Sequence, residues 1–319
     1  MAGGTARHPR SATSHDMQML ALVGPTASGK TEAAVELADR LDAEIVMVDS
    51  MALYRGMDVG TAKPTAEERA RVRHHLLDVA DPDEPFSVAR FQSLATSAIA
   101  DLRARGRAPL LVGGSGLYYR AVADDLSIPG TEPTTRRLLE AELVSLGPER
   151  MHRRLAALDP GAAGKIEPEN ARRTIRALEV IAITGRAFSS FAGDWERYPD
   201  DRVLAAGIEM DPGALRRRIE DRAAHMVAGG LIEESRALLA RGFGGFVTAS
   251  QAIGYLEAMQ HLRGLMSLEE VVAAIVRRTK NLARRQLAWF RRDPRIRWFS
   301  VGSGGAIEAL ADLEDYLAQ

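Results

Sequence analysis

The sequence predicts an α/β protein, a parallel sheet flanked by helices with an all-helical domain inserted into it. Three observations carry that reading. Residues 24 to 31 are Gly24-Pro25-Thr26-Ala27-Ser28-Gly29-Lys30-Thr31, a complete G-x-x-x-x-G-K-[ST] phosphate loop set directly behind the apolar run Met19-Leu20-Ala21-Leu22-Val23. Strand-like and helix-like runs alternate at both ends of the chain, and several of the strands are continuously apolar, as a parallel sheet covered on both faces requires. Between about Pro129 and Pro199 the strand signal disappears and helical spacing replaces it. The core is therefore expected to be P-loop NTPase-like.

In chain order, residues 1 to 16 read as a flexible leader, with Gly3-Gly4, His8-Pro9 and Ser11 to Ser14. Residues 17 to 128 form the first part of the core, with strands over Leu20 to Val23, Glu44 to Val48 and Pro109 to Val112 and a helix over Glu32 to Leu41. Residues 129 to 199 form the helical insertion, with helices over Thr135 to Leu146, Arg150 to Leu158 and Asn170 to Thr184 punctuated by Gly and Pro. Residues 200 to 319 return to the core through strands at Val203 to Ile208 and Ile296 to Phe299, and carry a long basic helix.

Composition narrows the function classes. The 319 residues are 46% hydrophobic and 27% charged, enough for a real core and about two domains. The chain contains no cysteine, which excludes disulfides, cysteine-ligated zinc and thiol catalysis. No apolar run approaches the ~18 to 20 residues of a membrane span, so a cytoplasmic protein without a membrane partner is expected. Net charge is −1, so a nucleic-acid surface must come from local clustering.

The phosphate loop sets the chemistry. Backbone N–H groups of such a loop point inward, and the helix behind it adds its positive N-terminal dipole. Lys30 would stand between phosphate oxygens as a point charge, and the Thr31 hydroxyl would complete the shell of a Mg²⁺ ion. The second strand ends in Val48-Asp49-Ser50, which places a carboxylate at the C-terminal sheet edge where ligands of such folds sit. Asp49 can hold Mg²⁺ through water, act as general base on an acceptor, or cap the next segment. The third strand ends in Gly113-Gly114-Ser115-Gly116, without the acidic residue of an ATPase that polarises water. This suits a close backbone approach to a ligand, with a hydroxyl from Ser115. There is no Asn-Lys-x-Asp, the guanine-reading signature.

The C-terminal third carries a nucleic-acid signal. With Leu268 to Arg292 taken as one helix at about 100° per residue, Arg277, Arg284 and Arg291 share a stripe, Arg278, Arg285 and Arg292 the next, and Lys280 flanks them. Val272, Ile275, Val276, Leu282, Leu287, Trp289 and Phe290 take the opposite side. A wet face with seven bases and no acid favours contact with phosphodiesters or an anionic substrate over an ordinary solvated face. The insertion repeats the theme in Arg136-Arg137, Arg153-Arg154 and Arg172-Arg173 with Arg176. Two separate basic patches could clamp an RNA.

An ordered set of motifs now carries a family resemblance: GPTASGKT at Gly24 to Thr31, DSMALYRGMDVGTAKP at Asp49 to Pro64, HHLLD at His74 to Asp78, Asp81-Pro82, GGSGLY at Gly113 to Tyr118, NARRTIRALE at Asn170 to Glu179, QAIGY at Gln251 to Tyr255 and RQLAWFR at Arg285 to Arg291. The chain resembles the tRNA dimethylallyltransferases, also called tRNA isopentenyltransferases, from about Leu20 to Phe299. The resemblance implies transfer of the dimethylallyl group of dimethylallyl diphosphate to N6 of the adenosine just 3′ of the anticodon, in tRNAs reading codons that begin with U. The partners implied are dimethylallyl diphosphate and the anticodon stem-loop of tRNA, with Mg²⁺ as cofactor and a monomer as the acting species.

By the same resemblance, the loop Gly24 to Thr31 holds diphosphate as a leaving group, Asp49 accepts the N6 proton, and Ser115 stands where the family usually has Thr. The tRNA-contacting segments would be Asp49, Ser50, Met51 and Ala52; Arg172, Arg173, Thr174, Ile175 and Arg176; and Gln251, Ala252, Ile253, Gly254, Tyr255 and Leu256, with Ser115 and Arg136 as single contacts. Arg172 replaces a more usual Gln, and Leu256 a more usual basic residue. Arg284, Arg285 and Arg291 of the basic helix are candidate phosphodiester contacts. Arg218 and Arg222, on the helix after Asp211-Pro212, are candidates to reach the diphosphate. Two alternatives stand beside this reading. A small-molecule or nucleotide kinase would use the same loop for ATP. A non-catalytic RNA-binding protein would have no need of Asp49.

Overall fold

The computed structural model describes residues 18–199, 201–243 and 248–319, so the expected leader lies outside the described residues. The chain divides into two compact units. One runs through Glu84, resumes over Leu94–Gly116 and takes in the C-terminal part to Gln319; the other comprises Pro85–Ser93 and Leu117–Pro199.

The strands are β1 (Met19–Val23), β2 (Ala43–Met47), β3 (His74–His75), β4 (Ala108–Gly113), β5 (Val203–Met210) and β6 (Ile296–Val301). The helices are α1 (Lys30–Leu41), α2 (Ala66–Arg71), α3 (Val88–Ala104), α4 (Gly116–Ala123), α5 (Pro133–Leu146), α6 (Pro148–Leu158), α7 (Pro160–Ala163) and α8 (Ala171–Thr184). Then come α9 (Pro212–Ala228), α10 (Leu231–Ala240), α11 (Tyr255–Leu262), α12 (Leu268–Phe290) and α13 (Leu310–Leu317).

The first unit is a six-stranded sheet in the order β3-β2-β4-β1-β5-β6, with every pairing parallel. Each of the five predicted strands is present, with ends shifted by one or two residues. Val48 falls just beyond β2, although its N–H still bonds the Val112 carbonyl at 2.8 Å. β3 was not expected, because two residues are too few to show an alternation. The Gly113-Gly114 turn therefore ends the fourth strand in chain order. All of β1 is buried, which is why its sequence reads as unbroken apolar residues. Its neighbours are β4 and β5, with β2 beyond β4, so the segments leaving β1, β2 and β4 meet at one sheet edge. Helices α1, α9 and α13 cover the sheet through Leu37, Ile219 and Leu313, which pack with Leu22, Ile45, Leu110 and Ile208. Burying each such side chain contributes about 1.5–3 kcal/mol.

The second unit contains no strand among the described residues. Leu139, Met151, Leu155, Ile166, Ile175 and Leu178 from α5, α6, α8 and the turn between them form its core. Helix α8 starts where Asn170 accepts the Arg173 N–H at 3.2 Å, and it stops at Gly185, whose φ is 67°. The expected boundary at 129 is displaced to Leu117, because α4 packs with the insertion. Phe91 and Tyr118 meet edge-on at 4.3 Å, and buried Arg120 pairs with Asp124 and donates to the Arg197 carbonyl at 2.8 Å. Among the described residues, no helix is long and apolar enough to cross a membrane.

Candidate active site

The phosphate loop leaves β1 and enters α1 with Ala27 at φ 66° and Gly29 at φ 81°. Lys30 is 8% exposed; its Nζ donates to the Pro25 carbonyl at 2.5 Å and to Ser28 Oγ at 3.3 Å. Burial, reinforced by the Arg222 charge, lowers its pKa to about 7, and the Asp49 carboxylate opposes that shift. Any anion placed beside it would favour the protonated lysine. The Thr31 hydroxyl faces the same space and bonds no described residue.

Two chambers open from this loop. One, of 450 Å³, is lined by Thr26 to Thr31, Lys63, Val112 and Arg218 among others. The other, of 350 Å³, has Met51, Ile219, Met226, Ile253, Ile275 and Leu282 among its lining, together with polar residues that include Ser50, Ser115, Gln251, Arg278 and Arg285. Thr26, Asp49, Thr61, Gly114, Arg222 and Gln286 line both, and so mark their junction. The chamber at the glycine-rich loop thus adjoins one that is part apolar.

Asp49 does two things at that junction. Its Oδ1 accepts the N–H groups of Met51 at 2.8 Å and Ala52 at 3.2 Å, capping the turn after β2, while Oδ2 bonds no described residue. Ser115 donates its backbone N–H to the Val48 carbonyl at 3.2 Å, and its hydroxyl, which bonds no described residue, faces the second chamber.

The two α9 arginines divide their roles. Arg218 donates Nε–H to the Ala27 carbonyl at 2.8 Å and another N–H to the Ser303 carbonyl at 3.0 Å. It fastens the phosphate loop to the segment after β6 while also lining the first chamber, where it was expected to reach. Arg222, one turn on, lines both chambers and has no hydrogen bond or ion pair with a described residue. Burial and the Arg218 charge lower its pKa, while Asp49 raises it. A half-buried, unpaired guanidinium beside the loop suits an anion.

The Gln251 to Leu256 segment is only partly a surface. Gln251, Ala252 and Ile253 line the second chamber. Tyr255 corrects its expectation: it is fully buried, its hydroxyl donates to Glu234 at 2.5 Å, and its ring covers Gly60 where no side chain would fit. Burial first, and then Glu234, raise its pKa well above the usual phenol range. Gly254 is also internal, its N–H bonding Glu257 at 2.8 Å, and Leu256 is half-buried. Glu234 further accepts the N–H groups of Asp58 at 2.9 Å, Val59 at 3.0 Å and Gly60 at 3.3 Å. Arg278 pairs with Glu257 at 2.6 Å and donates to the Gln251 carbonyl at 3.1 Å. Sequence reasoning missed these acids because their partners lie far along the chain.

Helix α12 spans two residues less than expected at its C-terminal end, stopping at Phe290. Of the seven bases expected on its cationic face, three are paired with acids from other elements. Arg278 meets Glu257, Lys280 meets Glu220 at 2.8 Å, and Arg291 meets Glu209. Arg284 bonds only Asn281, at 3.1 Å, and exposed Arg285 bonds no described residue. Gln286, in the midst of these arginines, accepts the Thr26 N–H at 2.8 Å and was also missed. An amide set among the arginines of a basic helix was the available signal.

Within the second unit, Arg172 and Arg173 are exposed and bond no described residue through their side chains. Thr174 and Ile175 are instead core residues, 0% and 2% exposed, which removes them as contacts. Arg136 is held by Glu140 at 3.0 Å and Glu179 at 3.4 Å. Arg176 is held by Glu179 at 2.8 Å and the Pro129 carbonyl at 2.6 Å.

Sheet order, loop and chambers together define an α/β protein with a phosphate-loop sequence motif beside a part-apolar chamber. The profile of the IPP transferase family matches residues 52–293. The chain is 50% identical over 293 residues to the tRNA dimethylallyltransferase of Salinispora arenicola, covering 92% of this chain and 85% of that one. It is 50% identical over 285 residues to the tRNA dimethylallyltransferase of Streptomyces coelicolor, covering 89% and 91%. The solved full-length tRNA isopentenylpyrophosphate transferase of Bacillus halodurans is similar with a TM-score of 0.69 and 41% identity, covering 95% of this chain and 96% of that one. The chain belongs to the IPP transferase family.

Proposed function

We propose that this enzyme transfers the dimethylallyl group of dimethylallyl diphosphate to N6 of the adenosine 3′ of the anticodon in tRNAs reading codons that begin with U, releasing diphosphate. One observation carries the reading beyond the family: a carboxylate with a free oxygen stands at the junction of a phosphate-gripping chamber and a part-apolar one. The phosphate loop, Lys30 and Arg222 hold the diphosphate, and the second chamber takes the prenyl chain and the flipped base. The C–O bond of the donor breaks with its electron pair passing to the diphosphate oxygen. The N6 lone pair forms the new C–N bond, and Asp49 Oδ2 takes the N6 proton. The Ser115 hydroxyl is placed to orient diphosphate or Asp49.

Mg²⁺ fits this arrangement through the unpartnered Thr31 hydroxyl. No group of three or more His, Cys, Asp or Glu among the described residues could hold a metal, so the substrate phosphates would supply most of its ligands. When bound, the ion supplies further neutralisation of the leaving group. Lys30 and Arg222 supply the protein's own share, positive charge that matters most as the leaving oxygen becomes anionic. Arg172, Arg173, Gln251, Arg284 and Arg285 are the contacts offered to tRNA, and a tRNA substrate suits work in the cytoplasm. A kinase is not favoured, since a part-apolar chamber walled by Met51, Ile219, Met226 and Ile253 suits a prenyl group rather than a phosphoryl acceptor.

The test mixes protein, labelled dimethylallyl diphosphate, Mg²⁺ and purified tRNA. Label in the tRNA is expected. ATP turnover with phosphate appearing on an acceptor, and no label in tRNA, would favour the kinase instead.

A further inference from the structure

Gln286 lies on α12 between its cationic and apolar sides, and it is half-buried. Its Oε1 accepts the Thr26 N–H at 2.8 Å across 260 residues of sequence. That bond assigns the amide, because the oxygen must face the loop and Nε2 must face the other way. Nε2 lies over Gly114, where a Cβ would collide with it. Neither of its two N–H groups has an acceptor among the described residues. Gln286 also lines both chambers beside Asp49 and Arg222, where the donor's C–O bond would break.

We propose that Gln286 is a catalytic hydrogen-bond donor: Nε2 donates to the diphosphate oxygen that leaves the prenyl carbon, while Oε1 holds the Thr26 amide in register. The inference rests on the function proposed above. As the C–O bond breaks, the electron pair moves onto that oxygen and the hydrogen bond strengthens. The amide gives up no proton, since the only proton transferred passes from N6 to Asp49. Lys30 and Arg222 supply net charge, whereas the amide supplies direction, and a neutral donor adds no penalty for burying a further cation. Gly114 completes the device by leaving the Nε2 group room to sit against the backbone.

Two variants separate donor from tether. Gln286→Glu keeps an acceptor for Thr26 and removes the donor; Gln286→Met, of similar length, removes both. Binding of inorganic diphosphate by calorimetry and single-turnover transfer to tRNA are measured on the full chain, with thermal melting to establish folding. Hydrogen bonds to a charged acceptor support an expected loss of about 10- to 100-fold in both readouts. Gln286→Glu should fall at least as far as Gln286→Met, while tRNA affinity stays within about threefold of wild type, a few-fold being well under one kcal/mol. Wild-type diphosphate affinity and rate in Gln286→Glu would overturn the donor and leave only the tether. A selective loss of tRNA affinity would overturn it in favour of an RNA contact. If Gln286→Glu does not fold, wild-type diphosphate affinity in Gln286→Met overturns the proposal by itself. Absence of transfer by the wild type would sink the proposed function instead, while the diphosphate affinities still report on the contact.

Discussion

Replacing Asp49 by Asn and by Ala separates its two roles. Oδ1 caps the turn after β2 through the Met51 and Ala52 N–H groups, at 2.8 and 3.2 Å, and an Asn side chain offers an oxygen in the same place. Asp49→Asn should therefore keep wild-type stability to within about 0.5 kcal/mol, as expected for a substitution that preserves its contacts. Asp49→Ala loses both bonds, and by analogy with a lost helix cap it should cost about 1–2 kcal/mol. Catalysis follows the other oxygen. Both variants lack the base, so each should lose about 10²–10⁴ in single-turnover rate, the usual contribution of general-base help and equivalent to about 2.7–5.5 kcal/mol in the barrier. The assay is rapid-quench transfer from labelled dimethylallyl diphosphate to tRNA, paired with urea unfolding. An Asp49→Asn enzyme with more than a third of the wild-type rate would refute the base and leave Asp49 as a cap.

Three further outcomes are expected. Lys30 titrates near 7 in the fold and near 10.5 when unfolded, so between those values the unfolded chain binds the extra proton and stability rises with pH. Without ligand or Mg²⁺, urea unfolding should show wild-type stability climbing by up to about 1.4 kcal/mol per pH unit from pH 7 to 9 relative to Lys30→Met; equal slopes would contradict the burial argument. Glu234→Ala strips acceptors from the Asp58, Val59 and Gly60 N–H groups and from the Tyr255 hydroxyl, and should cost about 2–4 kcal/mol in unfolding free energy, with Glu234→Gln costing less. An unshifted urea midpoint in Glu234→Ala would count against that anchoring. Arg284→Gln with Arg285→Gln should flatten the salt dependence of tRNA binding by about 1.4 in log–log slope, about 0.7 per phosphate contact. Arg291→Gln, already held by Glu209, should leave the slope unchanged, and an effect there would reverse the assignment.

The legible parts of this molecule are those whose physics is local. The apolar run of β1, the glycine-rich loop and Lys30 sit within a dozen residues of one another, so their pattern sufficed. Asp49 was legible because a strand end and its polar residue are neighbours in sequence. What stayed hidden depends on partners far along the chain. Tyr255 reads as an exposed motif residue until α10 brings Glu234 to its hydroxyl. Thr174 and Ile175 share a motif with exposed Arg172 and Arg173, and only the packing of α8 against α5 and α6 turns them inward. The cationic face of α12 held no acid in its own sequence, yet Glu209, Glu220 and Glu257 come to it from β5, α9 and α11.

In the proposed reaction diphosphate is expelled while carbon is transferred to a tRNA base. The most direct measurement is nucleoside mass analysis of tRNA after reaction with dimethylallyl diphosphate, with released diphosphate quantified in the same sample. One dimethylallyl group on the adenosine 3′ of the anticodon for each diphosphate released is the expected result. Diphosphate release without a modified adenosine, or a dimethylallyl group confined to another nucleoside, would contradict it.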